Sequence, residues 1–488
     1  MLQYTGHPFI DIGIATIVAF ASKTHPQQLE LEDLDAIADY LEECYTQQPM
    51  TSFLSVVFPN SGFTQPAYNK LPQKRIQYAR KVLRLYRPES LRAKNTRCIF
   101  TGQPAAGMPL DLDNKLPPGH SYRQHVPLTT GEGIINYHPN EMNGIPISGQ
   151  ALLALHALPL GCAKVGGRLL AIHASDNDAT LYCARHFLHN NMRSIEKARE
   201  IGATKLPEPA ENVATLLIKQ LLAMIKERQK QQEFDAPASI TAYYFTNSGQ
   251  GPDLQIFHIP LEVYDFLSTM LSDDYRQKWE QICERAWEVS SQLSAKQNSE
   301  EPPPTYNILY EELLQLPTTA AHFISHYLLR RPFVSKRKGD PRRFYSTINE
   351  AELVSWRLTE SFLRKVVSME PARIAEIKNL GDSLAEYIHS ENDKRLFNSL
   401  LNAQRYDQLR AALIRANVAC LRRRQEPLLR LKPYLAVFEE AEGLQYADWR
   451  LARDLVIIRV VEQLHEYGWL KAHADDLDLD QGPIEAAR

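Results

Sequence analysis

Hydrophobic and polar positions follow several different periods along this chain, and each change of period marks an element. Residues 9–18 are apolar at nearly every position after Tyr4-Thr5-Gly6-His7-Pro8, which predicts a turn and then a helix buried on almost all sides. Between residues 33 and 45, Leu34, Ile37, Ala38 and Leu41 recur at helical spacing among acids, an amphipathic pattern. Residues 73–86 repeat it with Ile76, Ala79, Val82, Leu83 and Tyr86, but the polar positions are Lys74, Arg75, Arg80, Lys81 and Arg84. Helical spacing returns at 150–160 and 213–232, and strand-like runs fall at 168–173, 242–245 and 254–259. The stretch 297–305 contains three consecutive prolines in polar company and reads as a linker. Beyond it four helical patterns are expected: 353–367, 370–390, 391–417 with an extension through 424, and 446–467. The fold class expected is α+β: a mixed N-terminal region with long loops, 1–296, followed after the linker by a basic helical connector, 306–368, and an antiparallel helical bundle, 369–488.

One stretch stands apart. Val56-Val57-Phe58 is a β-branched, aromatic run that breaks at Pro59 into Asn60-Ser61-Gly62-Phe63-Thr64-Gln65-Pro66, and it is echoed by Phe245-Thr246-Asn247-Ser248-Gly249-Gln250. Each copy reads as a strand feeding a turn whose amides and hydroxyls face outward, although Asn-Ser-Gly is also ordinary turn chemistry. Residues 97–149 are rich in Gly, Pro, His and Asn. A structureless loop of that length is usually functional, and here Tyr122, Arg123, His125, Asn136, Tyr137 and His138 offer stacking and hydrogen-bonding groups.

Charge changes the picture more than composition does. The net charge of −3 over 488 residues excludes a uniformly basic coat. Between His322 and Lys432, however, 22 Lys and Arg stand against 12 Asp and Glu, and the tail after His473 carries five acids and one arginine. Segregation of this kind marks a polyanion partner. Its centre is the run from Arg330 to Tyr345, where seven basic residues, among them Lys336, Arg337, Lys338, Arg342 and Arg343, surround a Gly-Asp-Pro turn. No apolar run is long enough to span a membrane, and the start of the chain lacks a secretory pattern, so a cytoplasmic protein without membrane contact is expected.

For chemistry, His156, Cys162, His173, Asp176, Asp178, Cys183, His186 and His189 are dense enough to raise a metal-dependent nuclease or hydrolase as an alternative, though no ligand motif among them is complete. The six cysteines lack framework spacing and are expected to be reduced thiols. Around Cys98 and Cys162 the text resembles two halves of a zinc knuckle whose second cysteines are replaced by Thr101 and Val165, so no metal and no cofactor is expected.

Those two degenerate halves, with Tyr4-Thr5-Gly6-His7-Pro8-Phe9, the 58–66 loop, Leu158-Pro159-Leu160-Gly161-Cys162-Ala163-Lys164 and Phe245-Thr246-Asn247-Ser248-Gly249-Gln250-Gly251-Pro252-Asp253, resemble the type I-B CRISPR-associated large-subunit family named for its CXXC-CXXC pattern. The motifs lie in the N-terminal two thirds. The C-terminal third is similar in helical type and length only. The resemblance implies a non-catalytic large subunit of a Cascade complex in antiviral defence. It would bind the 5′ end of the CRISPR RNA, recognise the protospacer-adjacent motif in double-stranded target DNA, and aid R-loop formation by holding the displaced strand on basic surface. Implied partners are the handle-binding, backbone and small subunits and a downstream helicase-nuclease or transposition apparatus. The helical end resembles the small subunit, which Met369 would begin if it served as an internal start. Candidate nucleic-acid contacts are Asn60, Ser61, Gln65, Asn69, Lys70, Arg123, Asn136, His138, Asn247, Ser248 and Gln250 for the duplex and handle. Lys336, Arg337, Lys338, Arg342, Arg343, Arg422, Arg423 and Arg424 are the candidates for phosphate backbones.

Overall fold

A computed structural model describes residues 2–87, 92–114, 116–129, 144–230, 238–247, 251–289, 305–337, 339–438, 449–474 and 477. It is an α+β protein, as the hydrophobic pattern predicts, and the chain forms two compact units, Met1–Ile259 and Pro260–Arg488.

The first unit is built on the helix Pro8–Phe20, where every residue from Phe9 to Ala19 is buried. Pro8 opens it at a position that needs no N–H. Gly13 lets it approach the helix Gly149–Ala157 so closely that a Cβ would lie 2.0 Å from the Ala154 carbonyl oxygen. Asp11 is buried in the same helix. Its carboxylate accepts from the Thr5 N–H at 2.7 Å and the Gly6 N–H at 2.8 Å, so the Tyr-Thr-Gly-His start is a wrap around a buried acid. Four antiparallel strands follow one another in chain order: Ala163–Val165, Arg168–Ala174, Ile240–Thr246 and Asp253–Ile259. Gly166 and Gly167, both at positive φ, make the two-residue turn between the first pair. Two long helices, Asn177–Glu200 and Val213–Lys230, separate the second strand from the third.

The described part of the loop-rich stretch contains paired strands. Arg92–Arg97 pairs with Pro104–Ala106, and His120–Ser121 pairs with Ile145–Pro146. Val56-Val57-Phe58 is not a strand. It continues the helical turn Met50–Leu54, with the Val57 and Phe58 N–H groups donating to the Leu54 carbonyl at 3.0 and 2.8 Å. Burial accounts for its β-branched and aromatic residues, because Val56, Val57 and Phe58 are at most 6% exposed.

In the second unit, the ends of the proline-rich segment belong together. Trp287–Val289 pairs antiparallel with Thr305–Asn307, and the Ile308 N–H donates to the Ala286 carbonyl at 3.0 Å. The stretch expected to link two domains therefore joins two paired strands of one unit, and the division falls at 259/260 instead of near 296. Leu261–Met270 and Trp356–Lys365 pack together through Phe266 and Phe362, whose ring centroids are 5.3 Å apart. Pro371–Glu391 packs on Trp449–Glu466, where Gly381 makes room for Arg459. The single helix expected over 391–417 is two. Asn392 turns left-handed at φ 51°, Asp393 caps Lys394–Asn402, and a second helix, Tyr406–Arg422, follows.

Candidate nucleic-acid interface

Asn247, of the second Phe-x-Asn-Ser-Gly segment, meets the run that leads into the first. The Asn247 N–H donates to the Val56 carbonyl at 2.7 Å, and its side-chain amide donates to the carbonyls of Val57 at 2.9 Å and Arg123 at 3.0 Å. The Asn247 amide oxygen accepts from Arg123 Nε at 3.2 Å and from the Leu128 N–H at 3.4 Å, and the Arg123 guanidinium also donates to the Asn247 carbonyl. Asn247 is wholly buried, so the expectation that it faces nucleic acid is overturned: it is the knot joining three segments. Arg123, half-buried, is largely consumed by the same knot.

The first copy is shaped in a similar way. Ser61 is 1% exposed, and its N–H donates to Thr64 Oγ1, whose hydroxyl donates to the Phe58 carbonyl at 2.7 Å. Ser61 is therefore not available to a phosphate. Gly62 lies against the ring of Tyr78, where a Cβ would come within 2.1 Å. Asn60 sits exposed at φ 59°, a conformation Asn tolerates, and Gln65 is half-buried at the entry to the Pro66–Lys70 turn. Asn69 is exposed but accepts from the buried Arg75 at 2.7 Å, whereas Lys70 points to solvent. The basic helix Pro72–Leu83 spends much of its charge within the fold: Arg80 pairs with Glu42 at 2.7 Å, Arg84 pairs with Asp39 and Glu42, and Lys81 donates to the Asp111 carbonyl.

The same happens in the second unit. Arg330 is fully buried over the Tyr345 ring, 3.5 Å from its centroid, and pairs with Glu350 at 3.1 Å. Arg331 is buried against Asp454 at 3.1 Å, and burial lowers its pKa to about 10. Arg342 pairs with Asp340 at 3.0 Å and with Glu312 and lies over the Phe333 ring, so it too is removed from the expected phosphate contacts. Burial would raise the Asp340 carboxyl, but the Arg342 hydrogen bonds outweigh it and hold the pKa below the ordinary value. Arg337 is shared: it covers the Tyr306 ring at 3.9 Å and reaches Glu288 and Glu311, yet remains exposed. Lys336 and Arg343 are exposed without an ion pair among the described residues. Beside them Phe344, which sequence reasoning did not single out, is 78% exposed. The Pro341–Phe344 turn that presents Arg343 and Phe344 is fixed from below, because Asp340 caps it through the Arg342 N–H at 3.0 Å. Arg422, Arg423 and Arg424 are exposed at the end of their helix, Arg423 paired with Glu391. Asn136, His138, Ser248, Gln250 and Lys338 lie outside the described residues.

The His/Cys/Asp group does not converge. His156 is buried between Phe58 and Phe63, with Nδ1 2.8 Å from the Leu152 carbonyl. Cys162 and Cys183 are buried, and burial pushes both thiols up, Cys183 to about 12. Asp176 caps the Asn177–Glu200 helix and pairs with Arg228 at 2.8 Å, and His173 lies 3.6 Å from Asp11. Asp178, His186 and His189 are exposed. Among the described residues no three His, Cys, Asp or Glu are placed to hold a metal ion. Cys98 and Cys162 are free and buried in one hydrophobic core. No helix among the described residues is long and apolar enough to cross a membrane. Compared with models of known protein families and with characterised proteins, the chain matches none.

Proposed function

We propose that this chain is a non-enzymatic nucleic-acid-binding protein, acting as the large subunit of a type I-B Cascade complex. In that role it binds the 5′ end of the guide RNA, recognises the adjacent motif in target duplex, and holds displaced DNA during R-loop formation. Its partners are the other Cascade subunits and a downstream helicase-nuclease or transposition apparatus. The observation that carries the reading is the rigid turn beside Lys336 and Arg337 that holds Arg343 and Phe344 outward. Leaving a phenylalanine in water forgoes about 2 kcal/mol of burial, and an aromatic flanked by cations suits a single strand, whose bases stack while its phosphates pair. On the first unit Asn60, Gln65 and Lys70 remain available for duplex contact. The motifs at 4–9, 58–66, 158–164 and 245–253 supply the family resemblance.

The triple variant Lys336→Glu, Arg343→Glu, Phe344→Ala is expected to weaken target-DNA binding by the assembled complex at least tenfold. The slope of log affinity against log salt should flatten by about two, one per lost phosphate contact. Unchanged affinity and slope would remove this surface from the mechanism. Cleavage of DNA by the purified chain with added divalent metal would replace the binding reading with an enzymatic one. An internally initiated product from Met369 would contain the Trp449–Glu466 helix without the Trp356 N–H that Glu462 accepts at 2.8 Å, so it would carry that face uncovered.

A further inference from the structure

A cleft of about 340 Å³ opens in the first unit, between the Asn177–Glu200 helix and residues 206–216. That volume lies at the lower end of the range for small-molecule sites, about 300–1,000 Å³. Phe53, Phe187, Leu206 and Leu216 supply its apolar surface. Along one wall the helix presents His186, Asn190, Arg193, Ser194 and Lys197, residues spaced three and four apart and therefore on one face. The wall is braced from behind, since Asn191 donates its amide to the carbonyls of Leu160 and Cys162, both at 2.8 Å.

The charges do not balance. Lys164 and Glu208 answer each other at 3.1 Å, and Glu208 also accepts from the Gly167 N–H at 2.9 Å, so the one acid lining the cleft is spoken for. Arg193 and Lys197 are exposed and have no ion pair among the described residues. Like charges four apart on a helix repel by a few tenths of a kcal/mol, which an anion between them would relieve. Although His186 is exposed as a residue, its ring is partly packed into the cleft wall, and that partial desolvation, then the nearby His189, lowers its pKa, which favours a neutral ring that can stack or exchange hydrogen bonds without adding charge. Two cations, an amide, a hydroxyl and a neutral imidazole above an apolar floor match one ligand chemistry: a planar heteroaromatic ring carrying a phosphate.

We propose that this cleft binds a phosphorylated nucleotide, with Arg193 and Lys197 on the phosphate and Asn190 and His186 toward the base. This does not rest on the Cascade reading, because the cleft and the Lys336–Phe344 surface belong to different compact units. The source is either a free mononucleotide or the phosphorylated end of a strand.

The test is calorimetric titration of the full chain with AMP, adenosine, inorganic phosphate, and a tetranucleotide with and without a 5′ phosphate. A phosphate-bearing nucleotide probe is expected to bind, and Arg193→Glu with Lys197→Glu should weaken it at least tenfold. Ser194→Trp, which fills the cleft without altering charge, should abolish binding. Tight AMP binding identifies a free nucleotide as the source, and binding of the 5′-phosphorylated strand alone identifies a strand end. Adenosine binding as well as AMP, or inorganic phosphate alone matching both nucleotide probes, overturns the proposal. So does nucleotide binding indifferent to all three substitutions. Circular dichroism of each variant separates loss of the site from loss of the fold. DNA binding through Lys336 and Arg343, measured in parallel, shows whether a failure here touches the other surface.

Discussion

Asn247→Ala is expected to destabilise the first compact unit by about 3–5 kcal/mol. The substitution removes both amide donations, to Val57 and Arg123, and the oxygen that accepts from Arg123 and Leu128. Each neutral bond contributes only about 1 kcal/mol net, but buried partners left unpaired add about 1–3 kcal/mol each. Asn247 has no exposed surface, so water reaches those partners poorly. The contrasting variant is Asn60→Gly in the matching position of the first copy. Asn60 is exposed at φ 59°, where glycine is at ease, and the change should stay within about 0.5 kcal/mol. Denaturant unfolding and amide exchange along Ile240–Thr246 measure both. An Asn247→Ala protein within about 1 kcal/mol of the parent would show that the knot is dispensable and reopen Asn247 as a binding residue.

The two Asn-Ser-Gly segments show what a one-dimensional reading reaches. Their shared words are visible in the sequence, and so is the strand Ile240–Thr246 that leads into the second copy, but not the helical turn that leads into the first. That Asn247 meets the run before the first copy is not visible either, because the Asn247-to-Val57 bond joins residues 190 apart, and a contact of that range leaves no local period. The 56–58 run looked like a strand because burial and pairing favour the same residue types. Helical periodicity located Leu31–Tyr45, Pro72–Leu83 and Val213–Lys230, since a buried face must repeat every turn, whereas Pro8–Phe20 showed itself as an unbroken apolar run. Helix breaks such as Asn392 were hidden in otherwise helical text.

The basic excess misled for a related reason. A count over 322–432 includes Arg331 and Arg342 but not the acids that neutralise them from outside that window, Asp454 and Glu312. Arg330 finds Glu350 inside it. Regional charge therefore overstated the surface left for a polyanion. What survives around the Gly-Asp-Pro turn is smaller and more sharply defined: Lys336, Arg343 and part of Arg337, with Phe344 as an aromatic whose exposure only the fold reveals, while Arg422 and Arg424 stay exposed at the end of their own helix. The proline-rich segment is a second such case, because its composition is that of a linker while its flanks are paired strands.

Acid should weaken the first unit well before its carboxylates titrate. His156 Nδ1 faces the Leu152 carbonyl, which can only accept, so Nδ1 carries the proton and Nε2 is the bare nitrogen. Nε2 is buried without a hydrogen-bond partner among the described residues, and protonating it would place a charge among Phe58 and Phe63. Burial accordingly lowers the His156 pKa to about 4, and burial together with the charge of His156 lowers that of His125 to about 3. An unfolded chain takes up these protons near pH 6.5, and the folded chain does not until far lower. The folded pKa is depressed and the neutral form is the folded one, so stability is complete above about pH 6.5. It falls as pH drops toward 4 and changes little more from this group below that value. For His156 alone the loss across the window is about 3 kcal/mol, from about 1.4 kcal/mol per pKa unit. Asp11 acts in a lower window. Burial favours its neutral form, but the His173 contact and the Thr5 and Gly6 bonds outweigh this and hold its pKa below the ordinary carboxylate value, so its contribution is full above the ordinary value and is lost as pH falls from there through the depressed folded pKa. His156→Phe keeps an aromatic ring between Phe58 and Phe63 and removes the titration. It should flatten the stability profile between pH 6.5 and 4 relative to the parent, whatever its offset at neutral pH. Denaturation midpoints across that range are the measurement, and a slope unchanged by His156→Phe would transfer the acid response to His125 and the carboxylates.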